Sequence, residues 1–379
     1  MTSSQVDVLF DAPLPDIRLG EDEVAAVAVA YNEELRLADF LRHHRELGIT
    51  RFFIVDNGST DDTAAILDKQ SDVIRIPASK PFKDHKVLWR QAICDRYLAG
   101  KWVLTLDIDE LFIFAGKPAA NIATLLRELD REGAEGLFCS LVDMYSDKPI
   151  AELNYKPGDR LIEACPYFDG TGYRLMDRRC DLDTYPTPFA YLYGGPRERM
   201  FSSACESSLV VQLATRTLFN ARRTKPLGPA GRFLAKRAAR SLRNGRTEPS
   251  AVMSKVPLVK WQCGTTACPG QHIVGRKLRL SRQRGALLHF KYLQDFPEKA
   301  RTAAERGQYA NNSAHYKSYL QFLDRIENGS FLYPGSRRYS GPEEMVRAGL
   351  IIPGARDSSP EPRAVSKPPP SESEPVAQR

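Results

Sequence analysis

The chain of 379 residues reads as an α/β fold, a mixed and mostly parallel central sheet flanked by helices. Three observations predict it. Apolar strand-like runs alternate with helix-period segments over residues 23–132. The first, second and fourth runs each end in a polar cluster: Tyr31-Asn32-Glu33, Asp56-Asn57-Gly58 and Asp107-Ile108-Asp109-Glu110. Two later apolar runs, Val256–Trp261 and Ala286–Phe290, supply strands that complete the sheet.

Residues 1–20 carry Pro13 and Pro15 and read as a loose lead. Glu23–Ala30 is small, apolar and β-branched, hence a buried strand. Asn32 or Glu33 then opens a helix whose Leu37, Phe40, Leu41, His44 and Leu47 recur at helical spacing until Gly48 stops it. Arg51–Val55 is the second strand; Gly58 permits a tight turn, and Ser59 or Thr60 caps a helix running to about Lys69. Val73–Ile76 is the third strand, and a helix covers about Lys86 to Leu98. Trp102–Leu106 is the fourth strand, followed by a helix over Ile122–Glu132 and a fifth strand over Glu135–Tyr145. The pattern is irregular from 146 to about 215. Two helices, near Pro297–Arg306 and Ala314–Asn328, close the fold.

The fourth strand carries the clearest chemistry. A period of two sends Asp107 and Asp109 to the same side while Ile108 turns into the core. Two converging carboxylates repel unless a positive charge lies between them. A hard divalent cation, Mg²⁺ or Mn²⁺, takes oxygen ligands and also binds phosphates. Ligands in open α/β sheets sit beyond the carboxyl ends of the strands, where this pair lies. The same residues also read as a solvated acidic turn.

Composition narrows the class. No apolar run approaches the roughly 18 residues that span a bilayer. The first residues lack the basic region and apolar core of a signal peptide, which places the protein in the cytoplasm. Seven scattered cysteines fit reduced thiols, and Cys263-x4-Cys268 is weak evidence for zinc. The net charge of +7 is concentrated in ten Arg and Lys residues between Arg216 and Arg246. That is a local patch without a nucleic-acid reading motif, so no nucleic acid is expected. It suits an anionic acceptor or the inner face of an anionic membrane, and reads equally as a solvated insertion.

The ordered series Val-Ala-Val-Ala-Tyr31-Asn32-Glu33-Glu34, Phe-Ile-Val-Asp56-Asn57-Gly58-Ser59-Thr60-Asp61-Asp62 and Leu-Asp107-Ile-Asp109-Glu110 resembles the family 2 glycosyltransferases of GT-A fold. Leu287-Leu288-His289-Phe290-Lys291 matches the soluble bacterial branch with Asp-x-Asp-Glu. The resemblance is strong over residues 24–115 and loose over 190–325. It implies a nucleotide-sugar donor, UDP- or GDP-linked, a Mn²⁺ or Mg²⁺ ion, and transfer of the sugar to a glycan, lipid-linked or polysaccharide-precursor acceptor. Tyr31, Asn32 and Glu33 would meet the nucleobase and ribose. Asp56 would accept a hydrogen bond from the base or the ribose, although it also reads as a turn cap, and Asn57 beside it would belong to the donor-binding group. Asp107 would face ribose and metal. Asp109 would bind the cation, which neutralises the departing diphosphate. His289 would join the metal shell or be a core histidine, and His272 is a weaker candidate for that post. Arg197 and Arg199 would clamp diphosphate or an acidic acceptor with their guanidinium forks, or lie solvated on a loop. Lys86 and Arg90 read as an exposed helix face near the phosphates, and Trp261 and Tyr193 as core residues or sugar-stacking rings.

Inversion at the sugar needs a general base. The family's usual acidic motif for it is missing here, which leaves Asp143, Asp181 and Asp183 as candidates. The Gln-x-x-Arg-Trp of membrane-embedded synthases is also absent, which argues against a processive synthase. The competing readings are a nucleotidyltransferase of similar fold, disfavoured by Tyr31-Asn32-Glu33 where a basic Gly-rich loop belongs, and a non-catalytic nucleotide- or glycan-binding module. The implied organisation is a lead (1–20), a nucleotide-sugar half (21–145), an acceptor-side half (146–335) with a basic insertion near 216–250, an extension (336–355) and a Pro-, Ser- and Glu-rich disordered tail (356–379).

Overall fold

A computed structural model describes residues 8–116, 121–177, 188–201, 216–243, 251–265, 275–308 and 310–354, with residues 6, 213 and 272. The strands in chain order are β1 (Ala25–Ala30), β2 (Arg51–Asp56), β3 (Val73–Pro77), β4 (Trp102–Asp107), β5 (Glu110–Ile113) and β6 (Gly136–Tyr145). After them come β7 (Tyr167–Asp169), β8 (Arg174–Asp177), β9 (Ala190–Tyr193), β10 (Ser254–Lys260), β11 (Leu280–His289) and β12 (Ser336–Arg338). The main sheet runs β12-β7-β6-β10-β4-β1-β2-β3, and β11 lies against β6 and β5. The half built from β3, β2, β1 and β4 is parallel, with helices crossing over between its strands. This is the curled α/β sheet the alternation predicts. β10 enters antiparallel between β4 and β6, and β11 runs parallel to β6.

Alternation of faces explains the core. Ala26, Ala28 and Ala30 of β1 pack with Leu37, Phe40 and Leu41 of the helix Glu34–Glu46. Ala25, Val27 and Val29 face the other layer, where Trp89 and Ile93 of the helix Phe82–Tyr97 close the sheet. That helix starts at Phe82, four residues before the expected Lys86, because Pro81 just outside it supplies an extended entry. The expected final helix divides into Ala310–Gln321 and Leu323–Asn328.

Two expectations change. Residues 8–20 contain no helix or strand, yet they are not loose. Leu9, Phe10 and Leu14 are buried in the cluster that holds Trp89, and the Trp89 indole N–H donates to the Leu9 carbonyl at 2.8 Å. The acidic segment also does not continue as one strand. β4 ends at Asp107, Ile108 and Asp109 form a turn, and β5 starts at Glu110. Period-two reasoning therefore stops at Asp107. Ile108 stays in the core as predicted. The segment after β12 packs through Met345, Leu350 and Ile351, and the Ser140 hydroxyl donates to the Leu350 carbonyl at 2.7 Å. The tail beyond Gly354 lies outside the described residues. Cys94, Cys139 and Cys165 are buried free thiols, Cys263 is exposed, and Cys268 falls outside the described residues.

Candidate active site

The carboxyl ends of β1, β2 and β4 meet at one edge. Behind β1, Asn32 adopts the left-handed φ of 54°, a conformation Asn tolerates better than most residues. It locks two loops together: its N–H donates to Ser59 Oγ at 3.1 Å, and Thr60 N–H donates to Asn32 Oδ1 at 2.8 Å. Tyr31 carries the Arg306 guanidinium over its ring at 3.6 Å. Asp56 caps its turn, with Oδ1 accepting from Ser59 N–H at 3.0 Å, and Arg75 reaches its Oδ2 at 3.4 Å. The Asn57 amide donates to the carbonyls of Ala78 (2.7 Å) and Lys80 (2.9 Å), while its buried Oδ1 has no donor among the described residues.

Asp107 is surrounded by cations. Arg90 donates to its Oδ1 at 2.7 Å and Lys255 to its Oδ2 at 2.6 Å. Lys255 comes from β10, is buried, and also binds Glu110. Burial alone would raise the Asp107 pKa, but Lys255 and Arg90 hold it well below the carboxylate range. Arg90, expected on an exposed helix face, is instead buried and also donates to the Leu106 carbonyl at 2.9 Å. Lys86 lies within the field of Asp107, yet burial draws its pKa down to about 8.

Beside this group the ligand atoms of Asp109, Glu110 and His289 fall within 4.8 Å of one another; Asp107 stands outside that set. The sheet register brings them together, since β11 places His289 opposite Glu110 of β5 and Asp143 of β6. His289 Nε2 lies 3.0 Å from Asp109 Oδ2, and Nδ1 lies 2.6 Å from Asp143 Oδ1. Burial lowers the imidazole pKa, but Asp109 and Asp143 outweigh it and raise the value above that of an ordinary histidine. An imidazole fixed through one nitrogen by a buried carboxylate, with the other aimed at a second carboxylate, is how proteins orient a metal-binding histidine. Two carboxylates and an imidazole form a donor set able to hold a divalent cation. Glu110 is also committed to Lys255 and to the Asp107 N–H (3.2 Å).

Arg197 does not present its fork to a ligand. Its Nε and Nη2 both donate to Asp143 at 2.7 Å, and Nη2 lies 2.9 Å from His289 Nδ1. Asp143 is fully buried, and burial is outweighed by Arg197 and His289, which bring its pKa down to about 2. The structure thus places Asp143, one of the candidate bases, inside the fold, held by Arg197 and in contact with His289. Asp181 and Asp183 lie outside the described residues. Arg199 grips Asp169 and the Phe331 carbonyl (2.7 Å), so it too is an anchor. Trp261 is buried, with its indole N–H donating to Asp95 at 2.8 Å. Tyr193 lies on β9, against Arg174 of β8. His272 donates from Nδ1 to the Ser254 carbonyl at 2.7 Å; burial takes its pKa down to about 4, and it is not part of the ligand set.

Three features escaped sequence reasoning. One is Lys255, a charge at an inward position of an otherwise strand-like run. Another is Arg36, buried, bidentate to Asp295 at 2.6 and 2.7 Å and donating to the Phe290 carbonyl at 3.0 Å. The third is Lys299, which reaches Glu33 at 2.7 Å. Arg36 and Lys299 tie the loop after β1 to the segment after β11, so Glu33 is part of this brace.

Residues 26–156 match the family model described as Glycosyl transferase family 2. This stretch is a family 2 glycosyltransferase domain with the GT-A-like α/β fold, and the activity it carries is glycosyl transfer. A crystal structure of a UDP-glucose pyrophosphorylase complexed with UDP-glucose is similar at 13% identity and a TM-score of 0.22, over 64% of this chain and 94% of that one. At that score the likeness carries no argument about fold or activity. No curated protein matches. Among the described residues no helix is long and apolar enough to cross a membrane.

Proposed function

We propose that the protein is a metal-dependent glycosyltransferase that moves a sugar from a UDP- or GDP-linked donor to a glycan, lipid-linked or polysaccharide-precursor acceptor, with inversion. The observation that carries this reading is the juxtaposition at the end of β4: the ligand set Asp109, Glu110 and His289 beside an Asp107 ringed by Lys86, Arg90 and Lys255. Asp109 and His289 would hold a Mn²⁺ or Mg²⁺ ion, with Asp107 close by. A cation there supplies Lewis-acid stabilisation of the leaving diphosphate. The protein's own part is to place positive charge where the leaving group gains negative charge. Lys86, Arg90 and Lys255 do so from two elements, the helix Phe82–Tyr97 and β10.

The base and ribose would lie along Tyr31, Asn32 and Glu33 and the end of β2. The unpartnered Asn57 Oδ1 supports that placement, because a buried acceptor without a donor is costly unless a ligand group supplies one. Residues 216–246 would contact an anionic acceptor or an anionic membrane surface, with the protein cytoplasmic. Residues 21–145 form the donor half and 146–335 the acceptor half in this reading. Donor hydrolysis across a panel of sugar nucleotides, with and without Mn²⁺, tests it. One nucleotide sugar hydrolysed only with metal is the expected result. A flat panel, together with no binding of UDP or GDP, would overturn it.

A further inference from the structure

At the other end of β6 and β11 from His289 lies a cavity of about 500 Å³. Phe138, Phe189 and Leu280 form apolar walls, and Lys225, Arg282 and Arg284 also line it. Arg284 is 4% exposed. Its Nη1 donates to the Ala221 carbonyl, its Nη2 to the Arg223 carbonyl at 3.0 Å, and its guanidinium lies 5.1 Å from the centre of the Phe138 ring. Among the described residues it meets no carboxylate. A buried cation with no counter-charge is expensive to hold; burial draws the Arg284 pKa down to about 10. Lys225 and Arg282 are exposed and bring two further charges to the rim. The cavity thus combines apolar walls with an unbalanced positive charge, the complement of an anion carried on an apolar body.

A second observation says where such a molecule comes from. Four residues after Lys225 the helix Pro229–Arg243 begins, with Phe233 at 61% and Leu234 at 53% exposure. At 100° per residue, Ala230, Leu234, Ala235 and Ala238 occupy one arc, and Arg232, Lys236 and Arg237 the opposite arc, with Phe233 between Lys236 and Arg237. No Asp or Glu occurs anywhere in residues 216–246. A basic helix with an exposed apolar stripe is the type that lies in the interface of an anionic bilayer.

We propose that the cavity seats the phosphate headgroup of an anionic phospholipid while the helix Pro229–Arg243 rests on the same membrane surface. The inference rests on the peripheral-membrane part of the proposed function and is independent of the donor chemistry. The test is co-sedimentation of the full chain with vesicles of phosphatidylcholine alone or mixed equally with phosphatidylglycerol, alongside calorimetry with a short-chain phosphatidylglycerol kept below its micelle concentration.

The expected result is binding to the mixed vesicles only, together with binding of the monomeric lipid. The double substitution K225E and R282E, on exposed positions, should weaken both by at least about tenfold at an unchanged melting temperature. L234S should weaken vesicle binding and leave the monomeric lipid bound. If the unaltered chain ignores the mixed vesicles, the membrane contact and the lipid seat fall together. If it binds them and K225E/R282E binds equally well, the cavity is not the seat and the helix docks alone. Glycerol phosphate displacing the monomeric lipid at equal concentration would mark a free-anion site and overturn the lipid assignment.

Discussion

The His289 imidazole stands between two carboxylates, 2.6 Å from Asp143 through Nδ1 and 3.0 Å from Asp109 through Nε2. Asp143 is in turn gripped by both arms of Arg197. Arg197 and Asp143 hold the ring from behind through Nδ1 and turn Nε2 toward Asp109. Asp143→Asn keeps the shape and removes the charge. It should lower Mn²⁺ affinity by roughly 10- to 100-fold, read by calorimetric titration, with the donor loops unaffected. Unchanged affinity would show that the ring needs no such support.

Asp109 is the member of the ligand set most open to solvent, its side chain about a quarter exposed. Asp109→Ala should abolish Mn²⁺-dependent UDP binding without unfolding the protein. Calorimetry with UDP and Mn²⁺, beside a thermal melt, checks both halves of the statement. Binding as tight as that of the unaltered chain would remove the cation from this position.

In the proposed metal site, protons and a cation would compete for His289. The two carboxylates raise its folded pKa above the unfolded value, so without metal it stabilises the fold below about pH 6.5 and loses that contribution as pH rises through the raised value. A metal ion needs the neutral ring and releases the proton. The rise in Tm produced by Mn²⁺ should therefore grow from about pH 6 to about pH 8. Melts at fixed metal concentration measure it, and a shift that shrank over the range would exclude the imidazole as a ligand.

The strands that frame the site were legible because each is an apolar run ending in polar residues, and β1, β2 and β4 lie where such runs predict. Asp109 and His289 were legible as candidates for the same reason: both follow apolar strands. Their partners were not, because sheet register decides them. β11 lies parallel to β6 and antiparallel to β5, so Asp143 meets His289 across 146 residues of chain, and no local pattern encodes that. Arg197 read as a ligand clamp because a guanidinium on a Gly-Gly loop looks free until its buried carboxylate is known. Lys255 was hidden by the opposite effect, in that a lone charge in a strand-like run usually faces water. The expectation that Asp107 and Asp109 share a side depended on strand geometry that ends at Asp107, two residues too early.

Lys255 holds the acidic pair together from inside the sheet. Glu110 is 1% exposed and Lys255 4%, so removing the ammonium strands a carboxylate in the core. Lys255→Met should cost about 3–5 kcal/mol, and adding Glu110→Gln should recover much of it by removing the orphaned charge. Chemical denaturation of the two variants is the measurement. A single variant as stable as the parent would mean that Glu110 simply takes up a proton.

The N-terminal segment provides the plainest stability test. Leu9, Phe10 and Leu14 have no secondary structure to hold them, yet each is less than 9% exposed and packs in the layer that covers Trp89. Trp89 has no exposure at all and gives its indole proton to the Leu9 carbonyl, so the segment both covers the ring and satisfies its only donor. Phe10→Ala should destabilise by about 3 kcal/mol, at the low end for a buried phenylalanine because the site lies near the surface and can partly collapse. Deleting residues 1–15 should cost more, roughly 4.5–9 kcal/mol from three buried side chains at 1.5–3 kcal/mol each, before the lost hydrogen bond is counted. Denaturant melts followed by tryptophan fluorescence should show both effects. Trp89 should also redden in the truncated protein, since water reaches its ring. A truncation that melts with the parent, with its emission unmoved, would return the segment to the loose lead that its two prolines suggest.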